Sequence, residues 1–405
     1  MIWEKVTLGE LYTVHNGLSK GRKFFGAGYP FLSFSTVFNN YFIPDELVDL
    51  VQSDEKEQKN YSISRGDVFV TRTSETSDEL GMSCVALKDY PRATYNGFTK
   101  RMRPIAIDRV LPEYIGYYMR MPSFRCKFQA FSTMTTRASL KNEDLLSLTI
   151  SLPPMEQQIR IAEVLQTYDK LIENNQKQIK LLEEAAQRLY KEWFVDLHFP
   201  GYEDVEIVDG VPEGWTYKRV EEFGEVITGK TPSTSKTEYY GGSIPFVTIP
   251  DMHGTVFPLV TEKTLTKVGA DTQKSKYLPA NTVIVSCIAT VGLVNIAIEP
   301  CQTNQQINSV ILHDDNNLYF FYESMKRVKA LLDGVGSNGA TMTNVNKTKF
   351  SNIKVLYPTE DLVMKYNEFC KSIFDKILAL SKAMLICEQS RDRLLPKLMN
   401  GEIEV

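Results

Sequence analysis

The chain has 405 residues, 43% of them hydrophobic, with 18 prolines, which is the make-up of an ordered protein of two or three domains with sizeable cores. No run approaches the roughly 18 apolar residues of a membrane span, and the opening Met1-Ile2-Trp3-Glu4-Lys5 lacks the basic-then-apolar pattern of an export signal, so a cytoplasmic location is expected. A net charge of −4 argues mildly against a nucleic-acid partner and, taken alone, leaves the partner open.

In chain order, residues 1–152 alternate short β-rich runs with turns: Tyr29 to Phe34, Val68-Phe69-Val70-Thr71, and Leu148 to Leu152. Leu111 to Met121 reads as a helix, which makes this first domain mixed α and β. Pro153-Pro154 closes it, and from Glu156 to Phe194 the apolar period becomes 3.5. Leu165, Ile172, Ile179, Ala186 and Trp193 share one heptad position; Ile161, Tyr168, Leu182 and Leu189 share the one three residues later, interrupted by Asn175. Such a stripe predicts a coiled-coil helix of roughly 39 residues, about 58 Å long, in which Asn175 costs stability while fixing register. A second mixed domain, 200–357, follows Phe199-Pro200-Gly201. After Pro358 another stripe begins, in which Ile373, Leu380, Cys387 and Leu394 alternate with Ile377, Met384, Arg391 and Leu398. This helix is expected to end near Pro396, before Asn400-Gly401. Arg391 in the seam has three readings: it snorkels, pairs with an acid on the first helix, or marks where another subunit docks.

The chain is written twice. Trp3-Glu4-Lys5-Val6 returns as Trp215-Thr216-Tyr217-Lys218, Gly17 as Gly229, and Pro30-Phe31 as Pro245-Phe246. Val68 to Thr71 returns as Val283 to Ser286, Asn96 as Asn304, Leu152-Pro153-Pro154 as Leu356-Tyr357-Pro358, and Leu189 as Leu394. The expected fold is therefore α+β: two similar mixed α/β domains (1–152 and 200–357) separated by an antiparallel coiled coil of two long helices (153–199 and 358–405), with pseudo-twofold character.

Motifs of catalysis are missing. There is no F-x-G-x-G loop and no N/D-P-P-aromatic tetrad of a methyltransferase, and Pro250-Asp251 with Glu262-Lys263 has the wrong spacing for a nuclease metal site. Gly334 to Gly339 matches G-x-G-x-x-G, but follows an apparent helix (Leu318 to Leu332) instead of a strand. It reads either as a flexible loop or, with its counterpart Phe131 to Arg137, as a DNA-contacting loop in both halves. Six scattered cysteines (Cys84, Cys126, Cys287, Cys301, Cys370, Cys387) without C-x-x-C read as buried free thiols, and His15, His198, His253 and His313 show no ligand pairing.

On this doubled plan sit Pro153-Pro154-Met155-Glu156-Gln157-Gln158-Ile159-Arg160-Ile161-Ala162-Glu163-Val164-Leu165, Thr228-Gly229-Lys230-Thr231-Pro232, Tyr239-Tyr240-Gly241-Gly242-Ser243-Ile244-Pro245-Phe246 and Leu395-Pro396-Lys397-Leu398-Met399-Asn400-Gly401-Glu402-Ile403. In this order they resemble the specificity (S) subunit of type I restriction–modification systems, and the resemblance covers essentially the whole chain. It implies a non-catalytic subunit whose two target-recognition domains each read one half of a split, asymmetric DNA site. The helices would set the spacing and dock two methyltransferase (M) subunits. S-adenosylmethionine would then belong to the M subunits, and ATP and Mg to restriction (R) subunits. Half-sites about one helical turn apart, roughly 34–36 Å, are expected.

Hydroxyl, amide and cationic side chains on loops suit contacts to phosphates and base edges. The first domain offers Ser19, Lys20, Arg22, Lys23, Arg72, Thr73, Asn96, Lys100, Arg101, Thr136 and Arg137. The second offers Lys230, Thr231, Ser233, Thr234, Lys236, Tyr239, Asn304, Gln305, Asn344 and Lys347. Arg72 could take a guanine bidentately or pair with Glu75. Phe194 and Leu197, off the seam, belong either to an M-subunit interface or to the packing of the second domain. Two rivals stand beside this reading: a fused nuclease–methyltransferase, which the missing motifs disfavour, and a coiled-coil scaffold that binds no nucleic acid, which the net charge slightly favours.

Overall fold

A computed structural model describes residues 3–74, 80–130, 138–328 and 344–405. The chain forms two compact units: residues 1–171 with 387–405, and residues 172–386. Each unit contains one sheet-rich domain and a stretch of both long helices.

The same elements recur in the same order. In the first unit a four-stranded antiparallel sheet runs Tyr12–Asn16, Thr99–Pro104, Val68–Thr71, Ser83–Val85. In the second it runs Gly224–Thr228, Ile307–Leu312, Val283–Ser286, Val294–Ile296. A smaller mixed sheet stands beside each: Leu50–Val51, Phe25–Leu32, Thr94–Tyr95 in one and Lys263–Leu265, Tyr240–Val247, Gln302–Thr303 in the other.

The run Val68-Phe69-Val70-Thr71 is apolar on both sides because its strand is buried on both faces. Val68 and Val70 join the core that holds the helix Pro112–Arg120, while Phe69 joins a second core with Leu32 and Tyr95. The period of two that sends alternate side chains to opposite faces divides Val283-Ile284-Val285 in the same way, with Ile284 in the smaller core. Each fully buried aliphatic chain of this kind contributes about 1.5–3 kcal/mol. Gly17 and Gly229 mark an equally specific spot. A Cβ there would lie 2.0 Å from the Asn96 carbonyl oxygen and 2.2 Å from that of Asn304, so only glycine allows the backbones to approach.

Both long helices have 40 residues, Met155–Phe194 and Glu360–Met399, about 60 Å each at 1.5 Å per residue. In the first unit they run antiparallel: Arg160 reaches the Val405 carbonyl, and further along Asp169 reaches Arg391. The core there includes Ile161, Leu165, Leu395, Leu398 and Met399. In the second unit Tyr366 donates to the Ala186 carbonyl at 3.0 Å, and Ile179 and Leu182 pack with Ile373 and Ile377. Asn175 is buried in the seam.

Two sequence expectations change, the match at the domain ends and the burial of every cysteine. The second helix ends where expected, at Met399, just past Pro396 and before Asn400-Gly401; a proline in a final turn gives up a single intrahelical bond where the ladder is ending anyway. The match at the domain ends shifts by one residue: Leu152 opposes Glu4, and Tyr357 opposes the equivalent Thr216, so Leu152 corresponds to Tyr357. The helix after Leu318 is described as far as Lys326; Gly334 to Gly339 and Phe131 to Arg137 fall outside the described residues. Not every cysteine is buried, since Cys126 is exposed and Cys387 partly so.

Phe194 and Leu197 belong to the second unit's core, where Phe194 meets Phe320 edge-on at 5.0 Å and Tyr366 at 5.1 Å. Arg391 takes the second of its three readings, its guanidinium 2.7 Å from Asp169 on the first long helix. Among the described residues no helix is long and apolar enough to cross a membrane, and no group of His, Cys, Asp and Glu is placed to hold a metal.

Candidate nucleic-acid interface

In each domain one loop leaves the four-stranded sheet and lies against the small sheet. The first starts at Gly17, whose N–H donates to the Thr99 carbonyl, while that of Leu18 donates to Tyr95. The second starts at Gly229, with the equivalent bonds to Ile307 and, from Lys230, to Thr303. Asn96 and Asn304 close both sites with one turn geometry: Asn96 Oδ1 accepts the Phe98 amide at 2.7 Å and Asn304 Oδ1 the Gln306 amide at 3.0 Å. The repeated asparagine therefore first holds a turn.

Around the first turn the fold gathers Ser19, Arg22 and Lys23, all exposed. Gly97 packs so closely on the Ser19 hydroxyl that a Cβ would sit 2.2 Å from it. Lys23 stands over the Phe24 ring. Lys20 is committed elsewhere: it pairs with Glu57 at 2.6 Å and donates to the Gln52 carbonyl, which fastens the loop. Around the second turn the fold gathers Lys230, Ser233, Thr234 and Lys236, which are exposed, and half-buried Thr231 and Tyr239. Thr231 donates to the side chain of exposed Gln305 at 2.6 Å, Ser233 bonds Ser235, and Lys236 stands over Tyr239.

A third strip joins the same end of each large sheet. Arg72 donates its N–H to Phe98 and accepts from Leu140; in the second domain Cys287 does the same with Gln306 and Val345. That chain of bonds brings exposed Asn344 beside the turn, with Lys347 opening the helix Lys347–Ser351. Arg72 is half-buried and its Nε has no hydrogen-bond partner among the described residues. Thr73 pairs through its backbone with Ser139. Thr136 and Arg137 lie outside the described residues.

Lys100 and Arg101 are a correction. They lie on Thr99–Pro104, a strand flanked on both sides, and both are buried. Lys100 reaches Asn142 Oδ1, and Arg101 donates to the Ser62 carbonyl at 2.7 Å. Burial pushes the proton affinity of both downward, that of Lys100 further because Arg72 is near. The neighbouring cations are equally occupied: Arg103 forks onto Asp67, and Arg120 donates to the carbonyls of Ser83, Val37 and Asn40. Lys100, Arg101, Arg103 and Arg120 are the internal bracing of the first domain. Asp251 is similarly used, accepting the amides of Thr248 and Glu262.

Beside each turn the small sheet forms a cleft that the sequence did not disclose. The first, of about 310 Å³, is lined by Phe25, Phe31, Ser33, Asp49 and Asn96 among others. The second, of about 390 Å³, is lined by Tyr240, Phe246, Thr248, Lys263 and Asn304, with Thr231 and Thr234 on its wall. The repeated Pro-Phe pair and the repeated asparagine, Asn96 and Asn304, were the visible signals. The opposing strand, two residues in Leu50–Val51, is too short to be recognised.

Two like domains, each with a polar loop and cleft at one end of its sheet and both mounted on long helices, define a class of protein with two separate reading heads. A family model described as "Type I restriction modification DNA specificity domain" matches the chain twice, over residues 2–184 and 212–362. The chain therefore belongs to the family of type I restriction–modification DNA specificity subunits. It is 31% identical to the type I restriction enzyme HindI specificity subunit of Haemophilus influenzae, over 99% of both chains. It is 26% identical to the MjaIX specificity subunit of Methanocaldococcus jannaschii, over 84% of this chain and 79% of that one. The fold is shared with the crystal structure of a type I restriction–modification S subunit from M. genitalium (TM-score 0.58, 14% identity, 98% and 96% of the two chains covered). The scaffold reading finds no support in these relationships.

Proposed function

We propose that each recognition domain of this chain reads one half of a bipartite, asymmetric DNA site while the paired helices set the spacing and dock two methyltransferase subunits. Chemistry then resides with the partners: S-adenosylmethionine and adenine methylation with the modification subunits, ATP and Mg with restriction subunits where these are present, all in the cytoplasm. The chain contributes no catalytic residue of its own.

One observation carries this reading. The two loop-and-turn sites share backbone geometry to the level of individual hydrogen bonds, from Gly17 and Asn96 to Gly229 and Asn304, yet their exposed side chains differ. A repeated scaffold with unlike contact residues is what reading two unlike half-sites requires. Exposed cations at both sites, such as Arg22, Lys23, Lys230 and Lys236, supply phosphate contacts that position the heads, while amides and hydroxyls address base edges.

The test is detection of modified adenine in DNA from cells that express this chain with its modification subunits, against the modification subunits alone. A split motif that appears only with this chain is the expected result. An unchanged methylation pattern, with the proteins soluble and associated, would overturn the reading. In purified complexes, Lys236→Gln is expected to lower duplex affinity evenly across sequences and to reduce the salt slope by about 1.

A further inference from the structure

The two clefts share one backbone frame and several matching lining residues, and at one matched position their charge is opposite. Phe25–Leu32 and Tyr240–Val247 align residue by residue, so Phe25 corresponds to Tyr240 and Phe31 to Phe246. Each strand carries the same irregularity: Phe25 and Tyr29 both oppose Val51, and Tyr240 and Ile244 both oppose Leu265. Residues 26–28 and 241–243 are thereby pushed out of the ladder as exposed lips, with nothing within 4 Å of a Cβ at Gly26 or Gly241. Ser33 and Thr248 correspond as the next residues, and Asn96 and Asn304 close the other side.

The difference lies across the ladder from the buried phenylalanine. Phe246 opposes Lys263, and Phe31 donates its N–H to the carbonyl of Asp49, the next step beyond the Pro30–Leu50 pair. Residues directly opposite in a ladder present their side chains on one face. Asp49 and Lys263 therefore occupy the same place in the two clefts, and among the described residues each is the one charged residue lining its cleft. Both are exposed, and neither charged head has a partner among the described residues.

A cleft that held the phosphate common to all DNA would keep a positive charge in both copies. Inverting the charge on an otherwise repeated frame means that the two clefts hold groups of opposite hydrogen-bonding character. Resting on the DNA-reading function proposed above, we infer that Asp49 and Lys263 are specificity-determining residues, each reading one base edge of its own half-site. The carboxylate of Asp49 accepts a hydrogen bond from the exocyclic amino group of cytosine or adenine. The ammonium of Lys263 donates to the O6 and N7 acceptors of guanine. The lips at 26–28 and 241–243 are the projections that enter the groove, and the asparagine turn fixes the cleft from behind.

The experiment uses the full chain with its modification subunits and reads the methylated motif in cells, alongside binding of the purified complex to duplexes varied one base at a time. Asp49→Lys is expected to change the preferred base at one position in one half of the motif, and Lys263→Asp at one position in the other half. In each case the remaining positions stay as they are. Discrimination at the affected position should change by about 5- to 150-fold, the effect of one good side-chain–base pairing. Lys263→Arg should keep its base. Asp49→Asn and Lys263→Gln, near in shape to the native residues, should relax the same single positions where a charge reversal prevents assembly.

Variants that methylate and bind the wild-type motif with unchanged discrimination at every position would overturn the assignment, while the motif's dependence on this chain would still uphold the DNA-reading function. A wild-type chain that adds no motif to the modification subunits would instead overturn that function itself.

Discussion

Glu323 offers a test of the packing in the second unit. It lies on the helix Leu318–Lys326, is 1% exposed, and its Oε1 has no hydrogen-bond partner among the described residues. Burial drives its carboxyl up from 4.5 to about 7, with Lys326 pulling the other way and Glu183 on the first long helix adding to the rise. Glu183 is itself raised by burial. Between about pH 4.5 and 7 the folded chain thus holds a proton that the unfolded chain has released. Stability must therefore fall as pH rises through that window and level off above it. At about 1.4 kcal/mol per pH unit, the displacement amounts to about 3 kcal/mol. Glu323→Gln removes the ionisation while keeping the shape. Urea denaturation from pH 5 to 8, with hydrogen exchange of amides 318–326 as the local readout, should show the variant flatter with pH. It should be more stable than wild type at pH 8 and close to it at pH 5. A variant that loses as much stability as wild type between pH 5 and 8 would refute the reasoning.

Gly229→Ala and Gly17→Ala place a methyl 2.2 and 2.0 Å from a backbone carbonyl oxygen, and each should cost about 1–3 kcal/mol by thermal melting. Gly21→Ala, with open space around it, should be neutral. Arg391→Ala strands Asp169, which among the described residues keeps only the Tyr117 hydroxyl. A loss of about 2–3 kcal/mol is expected, below the range for fully buried pairs because both side chains retain some exposure. Asp169→Asn in that background should recover part of it, and purely additive losses would show that the two do not interact. Among the thiols, exposed Cys126 should react first with a disulfide reagent. Buried Cys84 and Cys301, both pushed up to about 12 by burial, should react only on unfolding. Equal rates for all three would contradict the packing.

The long helices were legible because a 3.5-residue period sustained over 40 residues has no other physical solution in a chain of this composition. The repeat was legible wherever geometry tolerates a single residue type: Gly17 and Gly229 under a carbonyl, and Asn96 and Asn304 in a side-chain-capped turn. Where short range and long range compete, reading fails. Thr-Lys-Arg-Met-Arg-Pro looks like a basic surface, yet it is a strand paired on both sides, and its cations reach acceptors at Ser62, Asp67 and Asn142, distant in sequence. Asp49 and Lys263 were passed over for the same reason. Neither stands in a recognisable motif, and only the pairing of a short strand with the Pro-Phe strand puts them into equivalent clefts.

The final turns of the chain carry a consequence for inheritance. Leu395, Leu398 and Met399 complete the core of the first domain, although the second domain is their nearer neighbour in sequence. Suppose recombination exchanged everything downstream of residue 200 between two such genes. The hybrid would acquire a new second reading head and, with it, a foreign patch in the heart of the head it meant to keep. Viable mosaics must therefore either exchange an internal block that stops short of about residue 387, or preserve the apolar character of those last turns. That requirement would hold the terminal segment to a nearly common composition across chains whose recognition surfaces are otherwise free to diverge.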